Sequence, residues 1–196
     1  MAQATIAIFA SGIGTNANAI LEYFKNDAEI NVGLIVTNKA DVGVIKVADK
    51  WKVEYAIINN ADLGDEELVE AVLEENEIDF LVLAGWLTLI PSYMVKMFKG
   101  KILNIHPALL PKFGGKGMYG HHVHEAVKAA GENISGITIH LVNEAYDKGS
   151  VVAQHKVSIE LSDSTEDIEQ KVRTLELVFY AVEIKKFILK SFKQQL

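Results

Sequence analysis

The stretch "TIAIFASGIGTNANAILEYFKN" (Thr5–Asn26) decides the fold. Its first residues form a short apolar run with β-branched positions, as a strand does. A turn of small residues with two glycines follows. Apolar residues then recur at helical spacing, with Thr15 or Asn16 as the expected N-cap. A strand, a tight glycine turn and a helix make the opening unit of an α/β fold.

The same alternation continues along the chain. "INVGLIVTN" (30–38) reads as a second strand, "DVGVIKVADKWK" as a helix and "VEYAII" as a third strand. "DLGDEELVEAVLEENE" is an acidic helix whose aspartate-rich start suits the positive end of the helix dipole. "DFLVLAG" (79–85) is apolar on both faces, as a central parallel strand must be. Pro91 opens a short helix, and "KILNIH" is the fifth strand. After a loop rich in proline and glycine, "YGHHVHEAVKAAG" reads as a helix. "ISGITIHLVN" and "VVAQHKVSIEL" read as two further strands, and a long helix over about 164–191, capped by Ser162 or Ser164, closes the chain. The expected fold is α/β: an open, mainly parallel twisted sheet with helices on both faces. A single domain over 1–196 is the simplest organisation.

Bulk properties exclude several classes. The net charge is 19 − 26 = −7, so no overall basic field draws nucleic acid or a lipid surface. With no cysteine, disulfides and thiolate chemistry are ruled out. The longest apolar stretch, "FLVLAGWLTLIP", is too short to span a bilayer. The start "MAQATIAIFA" lacks the basic region of a signal peptide, which leaves a cytoplasmic location.

Two places carry candidate chemistry. In open α/β sheets, ligands bind beyond the carboxyl ends of the strands. The turn "SGIGTN" lies there, at a helix start, and is either a plain tight turn or a phosphate seat. It is not the dinucleotide fingerprint, because Ala17 stands at the third glycine position. "KILNIHP" puts Asn104 and His106 two residues apart, on one side of a strand and near its end. An amide N–H can stabilise an oxyanion, and an imidazole can move a proton near neutral pH. The competing reading makes Asn104 a turn cap and His106 a buried, bonded histidine. Asp147, in "NEAYDKG", is ordinary turn chemistry by itself; near His106 it would favour the imidazolium.

These motifs then converge. "SGIGTN", "LVLAGWLTLIP", "ILNIHPALLPKF", "HHVHEAV", "GITIHLVNEAYDKGSVVAQ" and "VRTLE" stand in the order found in glycinamide ribonucleotide transformylases. The chain resembles these folate-dependent formyltransferases of purine synthesis nearly end to end. The resemblance implies formyl transfer from 10-formyltetrahydrofolate, as co-substrate, to the amine of glycinamide ribonucleotide, without a metal. It implies that Asn104, His106 and Asp147 are the catalytic set, with Asp147 keeping His106 protonated at neutral pH. Gly12, Gly14, Thr15 and Asn16 would face the substrate phosphate, joined by Arg173, while Glu176 would meet the glycinamide amine. Leu87, Thr88, Leu89 and Ile90 would read the pteridine ring, with Asn143 and Glu144 covering its other side. His140 would support the site. The glycine-rich segment "KFGGKGMYGHH" is longer than the commoner form; spacing to "HEAV" favours His122 over His121 and His124 as the histidine near the site.

The resemblance also divides the chain into a Rossmann-like half over 1–100, mainly phosphate-binding, and a half over 101–196 for catalysis and folate. It implies small-molecule partners only, in a monomer or homodimer. Rival readings are a formyltransferase acting on an amino sugar or on methionyl-tRNA, and a non-catalytic nucleotide-binding module. The tRNA type carries a further C-terminal domain, so this chain, ending at 196, is not expected to take tRNA.

Overall fold

The computed structural model describes residues 3–193; both extreme ends of the expected 1–196 domain lie outside that range. Among the described residues seven strands form one sheet: β1 (Ala4–Phe9), β2 (Ile30–Thr37), β3 (Glu54–Ile57), β4 (Phe80–Leu83), β5 (Ile102–His106), β6 (Ile134–Leu141) and β7 (Val151–Ser158), in the order β3-β2-β1-β4-β5-β6-β7. The first five pair in parallel. β6 and β7 extend the sheet antiparallel. The helices are α1 (Thr15–Phe24), α2 (Gly43–Trp51), α3 (Glu66–Glu75), α4 (Ser92–Met97), α5 (His121–Ala129) and α6 (Thr165–Lys193), with a 3-10 turn at Asp62–Gly64.

The period of two along each strand divides the interior into two cores. Ile6, Ile8, Phe80, Val82, Leu103 and Ile105 face one layer, where α1, α2 and α6 supply Ile20, Val44 and Ile184. Ala7, Phe9, Leu81, Leu83 and Ile102 face the other, against Val69, Leu73 and Met94 of α3 and α4. Runs such as "FLVL" are apolar throughout because both faces are covered. Within this frame Tyr180 of α6 is buried, and its hydroxyl donates to the Leu83 carbonyl at 2.8 Å.

Two local expectations change and a third is narrowed to one of its alternatives. Gly14, not Thr15 or Asn16, caps α1, at φ 83° and with no side-chain cap bond. A Cβ at Gly14 would meet the Val44 Cα at 2.9 Å, so the left-handed turn and the crowding both select glycine. Pro91 is the cap before α4 rather than its first residue. Ser164 is the cap of α6: its Oγ accepts from the Asp167 N–H at 3.0 Å, and Asp167 Oδ2 accepts from the Ser164 N–H at 2.9 Å.

The strand order reverses between β1 and β4. The crevice outside their carboxyl ends is where such sheets hold ligands. The loops after β1, β4 and β5 converge on it.

Candidate active site

Asn104, His106 and Asp147 line one cavity of about 560 Å³, together with Asn16, Trp86 and Glu176. β5 supplies the first two residues. Asn104 lies opposite His140, and His106 opposite Thr138, on β6. The β6–β7 connection folds back to bring Asp147 in, at φ 53°. A non-glycine residue in that region is a local strain that the surrounding contacts must hold. Asp147 Oδ2 lies 3.6 Å from His106 Nδ1, and Oδ1 lies 3.5 Å from His140 Nε2.

The hydrogen bonds fix which atoms are free. His106 Nε2–H donates to the Phe113 carbonyl at 2.7 Å, because a carbonyl can only accept. Nδ1, facing Asp147, is therefore the nitrogen that can exchange a proton. His140 Nδ1–H donates to the Leu141 carbonyl at 2.9 Å, which leaves Nε2 to accept from the Asn104 amide at 3.1 Å. One N–H of Asn104 is thereby used and the other is open to the cavity. The Gly115 N–H donates to Asp147 Oδ2 at 2.8 Å. A Cβ at Gly114 would collide with the Leu110 side chain and press on Asp147 Cβ at 3.2 Å, so glycine is needed there.

The electrostatics correct one expectation. Burial pushes the His106 imidazole below its ordinary value of 6.5; the Asp147 charge and the Phe113 bond raise it, but less. Burial thus favours the neutral imidazole, against the expectation that Asp147 holds His106 protonated. Burial raises Asp147, yet His140 and His106, each when its ring carries a second proton, and the Gly115 N–H take it below the usual carboxylate range. The pair at rest is a carboxylate beside a neutral imidazole, ready to stabilise an imidazolium once a proton arrives.

The wall of the same cavity also carries the cationic side chains, with the glycine turn close by. Gly12, Gly14 and Thr15 sit at the turn behind it, and of that turn only Asn16 is among the lining residues. Asn16 Nδ2 donates to Glu176 Oε2 at 2.9 Å. Burial pushes the Glu176 carboxyl up, while Asn16 and Arg173 pull it back. Arg173 pairs with Glu169, at 2.9 Å, one turn earlier on α6, rather than with Glu176.

Among the three neighbouring histidines, His122 is not the one at the site. It is exposed and bonds Glu125, whereas His124 is 3 % exposed and lines the cavity. The helical phase explains this: His124 shares a face with the buried Val123 and Val127 of α5. Its Nδ1 has no partner among the described residues, and burial lowers its basicity.

A smaller cavity of about 50 Å³ adjoins the first and shares Trp86, Asn104, Tyr146 and Asp147 with it. Thr88, Leu89, Ile90, Asn143 and His140 line it, while Leu87 lines the larger one. Glu144 is exposed and lines neither. Trp86 and Tyr146 were not singled out from the sequence; a tryptophan following directly on "LAG" at a strand exit was the available signal.

The family described as formyl transferase matches residues 4–183. The chain is 43% identical over 175 residues to a chloroplastic phosphoribosylglycinamide formyltransferase of Arabidopsis thaliana, covering 85% of this chain and 59% of that protein. It therefore spans about three-fifths of that plant relative's length. It is 34% identical over 189 residues to the phosphoribosylglycinamide formyltransferase of Haemophilus influenzae, covering 93% and 86%. A solved phosphoribosylglycinamide formyltransferase from Bacillus halodurans superposes with a TM-score of 0.85 at 34% identity, over 95% of this chain and 96% of that one.

Proposed function

The chain belongs to the formyl transferase family, and we propose that it moves the formyl group of 10-formyltetrahydrofolate to the amine of glycinamide ribonucleotide, a step of purine biosynthesis. The observation that carries this reading is the placement of Asn104, His106 and Asp147 in one cavity at the switch of the sheet. At about 560 Å³ the cavity lies within the usual range for small-molecule sites, about 300–1,000 Å³.

In this reading the acceptor amine attacks the formyl carbon. A C–N bond forms and the carbonyl oxygen becomes an oxyanion. The free Asn104 N–H donates to that oxygen as it gains charge. His106 Nδ1, neutral at the start, takes the proton released by the attacking nitrogen. Asp147 stabilises the resulting imidazolium. Collapse breaks the bond between the formyl carbon and folate N10, and the His106 proton passes to N10. His140 is a positioning residue, since it accepts from Asn104 and so aims the amide.

The two substrates divide the cavity. Asn16, Arg173 and Glu176 take the ribonucleotide. Arg173 reaches its phosphate, aided by the backbone N–H groups at the start of α1 beyond Gly12, Gly14 and Thr15. Glu176 meets the glycinamide end. Leu87, Thr88, Leu89, Ile90 and Asn143 take the pteridine, with Trp86 and Tyr146 beside them. In this division residues 1–100 bring the turn before α1 and most of the pteridine contacts, while the later part of the chain brings the catalytic groups together with Arg173 and Glu176, so the two substrates do not separate by halves of the chain. The enzyme acts on small molecules in the cytoplasm, as a monomer or homodimer.

Steady-state assay of the purified protein with 10-formyltetrahydrofolate and a panel of amines tests this. Turnover with glycinamide ribonucleotide, and none with an amino sugar or methionyl-tRNA, is expected. Turnover confined to another amine would overturn the assignment.

A further inference from the structure

Lys116 and Arg173 are the lysine and arginine lining the large cavity, against the carboxylates Asp147, Glu169 and Glu176. Arg173 is already compensated: Nη2 donates to Glu169 Oε1 at 2.9 Å. The other oxygen of Glu169 faces His121 Nδ1 at 3.1 Å. Lys112, Lys128, Lys171, Lys185 and Lys186 are tied to partners elsewhere on the protein. Lys116 makes no hydrogen bond or ion pair within the described set, so its charge is the uncompensated cation of the cavity wall.

The loop that carries Lys116 is fixed at both ends. At its start, the Phe113 carbonyl accepts from His106 and the Gly115 N–H donates to Asp147. At its end, His121 meets Glu169 on α6. The loop therefore runs from the reacting groups to the Glu169–Arg173 pair. Gly115 and Gly117 flank the lysine at φ 104° and 86°, conformations that L side chains rarely adopt. Two glycines hold the chain in a shape that presents the one long cationic side chain between them.

We propose that Lys116 is a specificity residue for the acceptor substrate, its ammonium serving as counter-charge to the phosphate. The inference rests on the proposed function. A phosphate monoester carries about −1.5 to −2 charges at pH 7. The Arg173–Glu169 pair is close to neutral as a unit, and a helix N-terminus supplies only about half a charge. A further cation is needed, and Lys116 is the one on the cavity wall. The pteridine lobe is the weaker candidate for it. The lobe lined by Thr88, Leu89, Ile90 and Asn143 has no lysine or arginine in its wall, and the Lys116 loop leads away towards α6.

The test is calorimetric binding of glycinamide ribonucleotide, of its dephosphorylated ribonucleoside and of a non-reactive 10-formyl folate analogue. Wild type, Lys116→Gln and Lys116→Arg are compared, with matched melting temperatures as the check on folding. Lys116→Gln should bind the ribonucleotide about ten- to a hundredfold more weakly, as for loss of a charge-assisted contact. Its affinity for the ribonucleoside and for the folate analogue should not change, and Lys116→Arg should restore most of the loss. Equal ribonucleotide affinity in wild type and Lys116→Gln overturns the inference, and so does a loss confined to the folate analogue. If wild type itself does not bind the ribonucleotide, the proposed function fails first and the inference falls with it.

Discussion

Replacing Asp147 by Asn removes one charge and keeps the shape. The amide oxygen can still accept from the Gly115 N–H, so the loop over the site stays anchored. The carboxylate stands 3.6 Å from His106 Nδ1. At that separation the attraction between a carboxylate and an imidazolium is about 2–5 kcal/mol for an effective dielectric constant between about 40 and 20. That corresponds to about 1.5–3.5 pKa units. His106 already titrates below 6.5 because it is buried. Without Asp147 only the burial penalty, the Phe113 bond and the His140 neighbour remain, so its pKa drops further. The proposed general base becomes weaker, and kcat at neutral pH falls by about a hundredfold or more, the share usually carried by proton transfer. The acid limb of the pH–rate profile moves to lower pH. NMR titration of the His106 ring in wild type and Asp147→Asn, alongside the two profiles, measures this. Identical His106 midpoints in the two proteins would refute the coupling.

Other perturbations follow from the same geometry. Asn104→Ala and His106→Ala should each fold normally and lose about 10²–10⁴-fold in kcat, read by steady-state kinetics with circular dichroism as control. Arg173→Ala should raise KM for glycinamide ribonucleotide by about tenfold, since Glu169 already takes part of its charge, and leave the folate KM unaltered. Acid should also destabilise the fold. His106 and His124 are both held below their ordinary 6.5 by burial. Between that value and their folded midpoints the unfolded chain binds more protons, so stability falls as pH drops through this window. Melting temperatures measured from pH 7 to 5 should decline, and less steeply in His124→Asn.

The fold was legible because strand and helix periods alternate cleanly. "FLVL" reads as a central strand because it is apolar on both faces, "TIAIF" as a strand and "SGIGTN" as the turn after it. Asn104 and His106 were legible as a pair because a period of two is local information. Asp147 was different, because its distance from His106 depends on how the β6–β7 connection folds back, and nothing within the motif states that. Its effect on His106 was misjudged for a related reason: a charge is visible in a sequence, whereas the burial that outweighs it is a property of the packed whole. His124 could have been found by counting from Val123 and Val127, but spacing to a neighbouring motif favoured His122. The cap of α1 fell to Gly14 because Val44, far along the chain, leaves no room for a side chain.

In the proposed reaction a formyl carbon passes from folate to an amine beside Asn104 and His106. Its most direct test uses 10-formyltetrahydrofolate labelled with ¹³C in the formyl group, glycinamide ribonucleotide and purified protein, followed by ¹³C NMR. The folate formyl signal should decay as a glycinamide formyl signal grows, and both changes should slow by about 10²-fold or more in Asn104→Ala and in His106→Ala. Absence of the new signal with wild type, or equal transfer rates in wild type and both variants, would contradict it.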